Sequence, residues 1–184
     1  MKYFRLLDDV HIVGRWHLGE VVEETVKSPL ELWTGTPAAA GISIEAEITH
    51  PGTALDFCLT SFAVPVAITR LAEAIAGVAG GDLQRIPLKV GAHKGFEVLN
   101  SVRVIRCLDE GRSSFTKWTA KDHRADLAGK YRMVSHLRVN LNTVPRDAHF
   151  FRIEGWEIAL IVSELIRSAM ESCKCLGAIF QDVV

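Results

Sequence analysis

The chain has 184 residues, of which 48% are hydrophobic and 23% are charged, and its formal net charge is −1. This size and composition exclude a disordered chain and fit one soluble globular domain or two small lobes. The longest apolar runs fall far short of the roughly 20 residues that a membrane-spanning helix needs. Residues 1–5 lead into Asp8 and Asp9 rather than into the apolar segment of a secretion signal. We therefore expect a cytoplasmic protein that has no membrane partner.

Residues 1–60 are rich in strand patterns. The clearest is residues 42–48, where apolar and polar side chains alternate with the period of a half-buried strand, so that Glu45 and Glu47 are expected to face water or a partner. Residues 26–41 are typical of a loop that encloses one short strand. Strands are predicted in this part at residues 3–7, 12–19, 30–33, 42–48 and 55–59.

One short pattern occurs in both halves of the chain. Residues 66–75 and 160–169 each begin with an apolar strand-like run, continue with Thr69 or Ser163, which can cap a helix, and end in an amphipathic stretch. A strand-like segment follows each copy. We predict two main helices, at about 69–79 and about 163–172, in an internal pseudo-repeat built for packing. The alternative is two similar helix starts that arise from the same local rules.

The remaining segments between the two helices predict strands. Residues 96–105 are typical of one long strand or a pair of strands, and further strands are predicted at 113–119 and 131–141. Residues 121–130 form the most polar linker. Because strands and helices do not alternate strictly, we predict an α+β fold with a mixed or mostly antiparallel sheet.

The small net charge conceals a gradient along the chain. Residues 1–60 contain 4 basic and 9 acidic side chains, residues 61–155 contain 15 basic and 9 acidic, and residues 156–184 contain 2 basic and 4 acidic. If these charges also cluster in space, they can steer a charged partner or favour self-association into a homodimer. The alternative is that they only solvate the surfaces of strands and helices.

Residue types that carry catalysis or bind metals form weak patterns. The four cysteines form neither a disulfide framework nor a Cys-x-x-Cys pair, and the seven histidines show no metal-ligand spacing. We predict reduced thiols, no metal, no cofactor and no catalytic site. The best enzyme-like cluster is Asp147 and His149 with Arg152, because a carboxylate can orient an imidazole for acid–base chemistry. A small hydrolase that uses Asp147 and His149 is therefore the alternative function; Asp8, Asp9 and His11 are a weaker cluster of the same kind.

Two further features leave alternatives open. The basic middle region would suit a nucleic acid, yet its basic residues are interspersed with acidic ones and lack an aromatic–basic recognition motif, so no nucleic-acid partner is predicted. Trp16 and Trp33 are candidates for aromatic anchors of an interface, although core packing is the commoner use of tryptophan.

Several short motifs, spread over most of the chain, belong together. They occur at residues 62–69 (FAVPVAIT), 98–102 (VLNSV), 149–152 (HFFR) and 161–164 (IVSE), and near the start at Tyr3, 16–19 and 56–57. In this combination the chain resembles a family of bacterial polymorphic-toxin immunity proteins typified by a myxobacterial example. One departure is residues 173–177, where the family pattern favours a glycine-containing turn and a small polar residue before the last strand.

The resemblance implies an antitoxin that binds and neutralises a cognate toxin without doing chemistry, and the toxin it implies is a nuclease used in bacterial competition. It implies one immunity-protein domain over residues 1–184, with a β-rich part at about 1–60 and an α+β part at about 61–184. The acidic N-terminal part could meet a basic nuclease through charge complementarity. The residues expected to supply that surface are Asp8, Asp9, Glu20, Glu23, Glu24, Glu45 and Glu47.

Overall fold

The computed structural model describes residues 1–26 and 30–184 and contains, within them, two α-helices and thirteen β-strands. The fold is α+β with a predominance of sheet, which confirms the predicted class. In chain order the elements are β1 (Tyr3–Asp8), β2 (His17–Glu23), β3 (Ile44–His50), β4 (Phe57–Leu59), β5 (Pro65–Ile68), α1 (Thr69–Ala79), β6 (Leu83–Val90), β7 (His93–Ser101), β8 (Val104–Ile105), β9 (Ser114–Lys117), β10 (Tyr131–His136), β11 (Phe150–Ile153), β12 (Trp156–Ser163), α2 (Glu164–Ser172) and β13 (Ala178–Asp182).

The first helix lies in a strand–helix–strand unit of a six-stranded sheet with the order β2-β3-β6-β7-β5-β4. Strands β5 and β6 each pair antiparallel with β7, so they run parallel to each other and α1 connects them. The helix buries Leu71, Ala72, Ile75 and Ala79, whose spacing marks one apolar face. Sequence periodicity and packing therefore agree for α1.

The second helix repeats this arrangement in a five-stranded sheet with the order β13-β1-β12-β11-β8. Strands β12 and β13 both pair antiparallel with β1, and α2 connects them. Each unit is thus a pair of parallel strands with an antiparallel strand between them, which is the spatial form of the predicted pseudo-repeat. The middle strand of the second unit comes from the N-terminus, so the two ends of the chain share one sheet.

The two helix starts differ at their caps. Ser163 caps α2 as predicted, because its Oγ accepts the Ile166 N–H at 3.4 Å. The same role predicted for Thr69 is wrong. Helix α1 begins at Thr69 itself, and the N-cap position is Ile68, whose side chain has no acceptor.

The core consists of three apolar clusters among the described residues. One packs both helices together through residues such as Leu71, Ile75, Ile166 and Met170. A second lies on the other face of the six-stranded sheet around Trp16, and a third lies behind the five-stranded sheet. Each fully buried large side chain contributes about 1.5–3 kcal/mol by leaving water. Trp16 is fully buried, which assigns it to the core.

Hydrogen bonds join the two edges of the six-stranded sheet and connect segments of the two sheets. Although β2 and β4 stand at opposite ends of the six-stranded order, Ser61, just after β4, donates its N–H to the carbonyl of Leu18 in β2 at 3.2 Å. The sheet therefore curls around its cluster until its two ends meet. At a second junction Phe57 N–H donates to Leu176 O at 3.1 Å, and Asp9 N–H donates to Gly177 O at 2.8 Å.

Two strand predictions in the N-terminal part are wrong. The second strand spans His17–Glu23 rather than residues 12–19, because residues 9–15 form a turn that passes through Gly14 at φ 74°. Residues 32–35 form turns and bends, with Leu32 packed into the second cluster. Residues 27–29 of the predicted loop lie outside the described residues. Among the described residues, no helix is both long and apolar enough to cross a membrane.

Candidate functional site

Strands β2 and β3 bring together five of the seven acidic residues predicted to bind a partner. On β3, Ile44 and Ala46 are buried in the core, so the alternation of the strand directs Glu45 and Glu47 to the opposite face. Val22 of β2 pairs with Glu45 across the strands, and Glu20 precedes Val22 by two residues. We call Glu20, Glu45 and Glu47 the acidic strip.

Gly19 makes room for this arrangement. A Cβ at Gly19 would lie 2.9 Å from Cγ of Glu47, closer than real Cβ contacts come. The bare glycine therefore leaves room for the Glu47 side chain against β2. Pairing in β2 and β3 is irregular here, with register shifts between His17 and Val21, and such irregularity re-aims side chains at a sheet edge.

Glu23 and Glu24 stand at the end of the strip and have local partners. Glu23 accepts a hydrogen bond from the Thr25 hydroxyl at 3.2 Å. Glu24 forms an ion pair with Lys89 of β6 and accepts the Ser43 hydroxyl. The hydrogen bond that Lys89 donates to the Glu24 carboxylate raises the pKa of Lys89. Lys89 therefore bounds the strip with a positive charge on the β6 side.

Asp8 and Asp9 organise the turn between β1 and β2. Asp8 forms an ion pair of 2.6 Å with Arg15, whose side chain is 3% exposed. Arg15 also donates to the carbonyl of Asp9 at 2.9 Å, and the Asp9 carboxylate accepts the His11 N–H. These contacts fix the chain between β1 and β2, so the predicted acidic set divides into a surface group and a structural group.

In the cluster of Asp147 and His149, the carboxylate and the imidazole have separate partners. The Asp147 carboxylate pairs with Arg103 at 3.2 Å, and this partner lowers the pKa of Asp147. Arg103 also pairs with Asp82 at 2.8 Å, and Asp82 accepts the His149 backbone N–H. The His149 ring contacts the Ser163 hydroxyl at 3.1 Å through Nδ1. The imidazole is thus tied to the cap of α2.

A groove lined by aromatic side chains is the feature that sequence reasoning missed. Its walls come from distant segments, and its cavity volume is about 380 Å³. Phe62 and Ile158 are 52% and 49% exposed there, although large apolar side chains are usually buried. We call it the aromatic groove; its principal lining residues are Trp33, Phe62, Trp118, Tyr131, Trp156 and Ile158.

Ring contacts order the walls of the aromatic groove. Trp33 and Phe62 stack with their centroids 6.3 Å apart and their planes at 28°. Across the groove the Arg132 guanidinium lies 4.8 Å from the Trp118 ring, a cation–π contact that stabilises the exposed indole. No periodic pattern links these residues in the sequence. The sequence signal for the groove was Trp33, which was named as a candidate aromatic anchor.

A buried arginine joins the two walls. Arg152 is fully buried on β11, where it donates to Glu157 O at 2.7 Å and to Ala63 O at 3.2 Å. Those carbonyls stand next to Phe62 on one wall and between Trp156 and Ile158 on the other. Burial lowers the pKa of Arg152 to about 10. The residue singled out as part of a catalytic cluster therefore braces the aromatic groove.

The thiols and histidines show no metal-binding arrangement within residues 1–26 and 30–184. No group of three or more His, Cys, Asp or Glu side chains there could hold a metal ion. All four cysteines have free thiols, and burial raises the pKa of Cys58 and of Cys107 to about 12. These two thiols serve the core and are unsuited to act as nucleophiles.

Comparison with known families adds a relationship that the geometry alone does not give. No curated protein matches the chain. Residues 96–184 match the profile of the Immunity protein family (Imm11). The matched region runs from within β7 to the end of the chain and includes α2, its flanking strands β12 and β13, and one wall of the aromatic groove. This match supports an immunity role and agrees with the resemblance read from the motifs.

Proposed function

We propose that the chain is an antitoxin that binds a cognate bacterial toxin, a nuclease, in the cytoplasm and neutralises it by protein–protein contact without catalysis. The observation that carries the immunity role is the family match over residues 96–184. In this proposal residues 1–184 act as one domain. Strand β1 supports that view, because it lies between β12 and β13 of the matched region.

The acidic strip supports the choice of partner. A nuclease that holds a phosphate backbone needs a basic surface, and such a surface is attracted to clustered carboxylates. Complementary charge speeds association and disfavours wrong partners. The strip lies before the matched residues, so it is a feature of this chain that the family match does not include.

Co-expression with the toxin encoded beside this chain tests the proposal. The wild-type chain should restore growth and co-purify with the toxin. Glu20→Lys combined with Glu47→Lys should lower the association rate by about tenfold or more at low salt, because two attractions become repulsions. Glu171→Lys is a control for a charge reversal elsewhere on the surface, since Glu171 is exposed on α2 and lies in the other unit.

The outcomes separate the role from the surface. Absence of both rescue and complex would refute the antitoxin proposal. Rescue that the strip variant retains in full, at low and at high salt, would keep the antitoxin role but refute the acidic strip as its binding surface.

A further inference from the structure

We propose that the aromatic groove receives a large apolar side chain that projects from the basic surface of the toxin bound at the acidic strip. The inference rests on the proposed function and adds the anchor of the complex. Interfaces draw most of their binding energy from a few apolar or aromatic side chains seated in desolvated pockets, while charged neighbours set the rate and the register. The groove and the strip have these two complementary properties.

The groove has the chemistry and size for one such anchor. Its lining is mainly aromatic and aliphatic, and about 380 Å³ accommodates a single large side chain. Tryptophan, tyrosine and phenylalanine each bury about 150–250 Å² when enclosed. The exposed rings of the groove lose contact with water when it is filled, which gives the association an apolar driving force.

The groove is built in advance of binding. Arg152 ties the carbonyl of Ala63 on one wall to that of Glu157 on the other, at 3.2 and 2.7 Å. Ala63 adopts φ 55°, a backbone conformation that side chains rarely favour. A buried charge and a strained residue therefore hold Phe62 opposite Ile158. Preorganised walls reduce the entropy that binding must overcome.

The position of the aromatic groove next to the acidic strip indicates which partner occupies the groove. Ser61 N–H donates to Leu18 O at 3.2 Å, and Leu30 N–H donates to Val21 O at 3.1 Å. These bonds fix the segments that carry Phe62 and Trp33 along the outer edge of β2. Glu20 lies on the same strand, two residues from Leu18, or roughly 7 Å away. One partner surface of ordinary size, about 800 Å², covers both features.

The test measures the affinity of the catalytically inactivated toxin domain for single-residue variants. Phe62→Ala and Ile158→Ala should each weaken binding by about tenfold or more, with little change in salt dependence because neither removes a charge. Leu165→Ala is the matched control: Leu165 and Ile158 are both 49% exposed, and Leu165 lies beyond the far end of β12. It should leave affinity unchanged. Thermal unfolding of each variant checks that the fold is intact.

The results distinguish this inference from the proposed function. If the wild-type chain does not bind the toxin, both fail. If it binds and the strip variant weakens the complex while Phe62→Ala and Ile158→Ala bind like wild type, only the anchor is refuted. A single-stranded oligonucleotide that quenches the tryptophan fluorescence of the wild type, but not of Trp118→Ala, would assign the groove to base stacking and overturn the proposal.

Discussion

Gly177, between α2 and β13, is the point where an added methyl group should damage the fold most clearly. Its φ is 106°, and a Cβ there would lie 2.2 Å from the carbonyl oxygen of Phe57, whereas ordinary contact begins at 3.4 Å. A left-handed backbone costs an L-residue about 1–2 kcal/mol. To relieve the clash the two chain segments must move apart, which breaks the Phe57–Leu176 and Asp9–Gly177 hydrogen bonds. Each bond contributes about 1 kcal/mol net, and the loss is larger if a buried donor stays unpaired. Gly177→Ala should therefore lower the free energy of unfolding by about 3–5 kcal/mol.

Urea unfolding followed by tryptophan fluorescence measures this loss. Gly129→Ala is the matched control, because Gly129 has φ 90° and a Cβ there would meet nothing within 4 Å. The control should cost only the backbone strain, about 1–2 kcal/mol. A difference between the two variants of less than about 1 kcal/mol would refute the argument that the carbonyl of Phe57 makes glycine necessary.

Two further predictions concern the cap of α2 and the thiols. Ser163→Ala should lower the free energy of unfolding in urea by about 1–2 kcal/mol, because the Ser163 hydroxyl caps α2 and contacts the His149 ring. Thr69→Ala should lower it by less than about 0.5 kcal/mol. Equal losses for the two variants would contradict the assignment of only Ser163 as a cap. Alkylation at pH 8 with peptide mapping should modify the partly exposed Cys173 first, because burial raises the pKa of Cys58 and of Cys107 to about 12. Earlier labelling of either buried thiol would contradict their placement in the core.

The helices and the pseudo-repeat could be predicted because their signals are local. The spacing of apolar residues in 69–79 and 163–172 predicted the bounds of both helices closely. The repeated pattern reflected a shared path of strand, helix and strand. What the sequence could not show is that β1 enters the second unit and that Ser61 reaches Leu18. Such pairings join residues far apart along the chain, and nothing in the local pattern of either segment specifies its partner.

The candidate site was predictable only where a strand pattern carried it. Alternation on β3 placed Glu45 and Glu47 on one face, and the pairing of β3 with β2 brings Glu20 onto the neighbouring strand. Asp8 carries the same charge, yet its partner Arg15 could not be identified without the turn that brings them together. The aromatic groove has walls from segments separated by most of the chain, so composition gave only the number of tryptophans.

The contacts of the enzyme-like cluster bear on how this protein acts. Arg103 holds Asp82 and Asp147 together, and Asp82 in turn holds the backbone of His149 at the start of β11. This network joins the end of the first unit to the second, so the residues that suggested acid–base chemistry stabilise the junction of the two sheets. Arg152 likewise supports the aromatic groove. In the proposed function, the acidic strip selects the partner by charge and the aromatic groove retains it through an apolar contact.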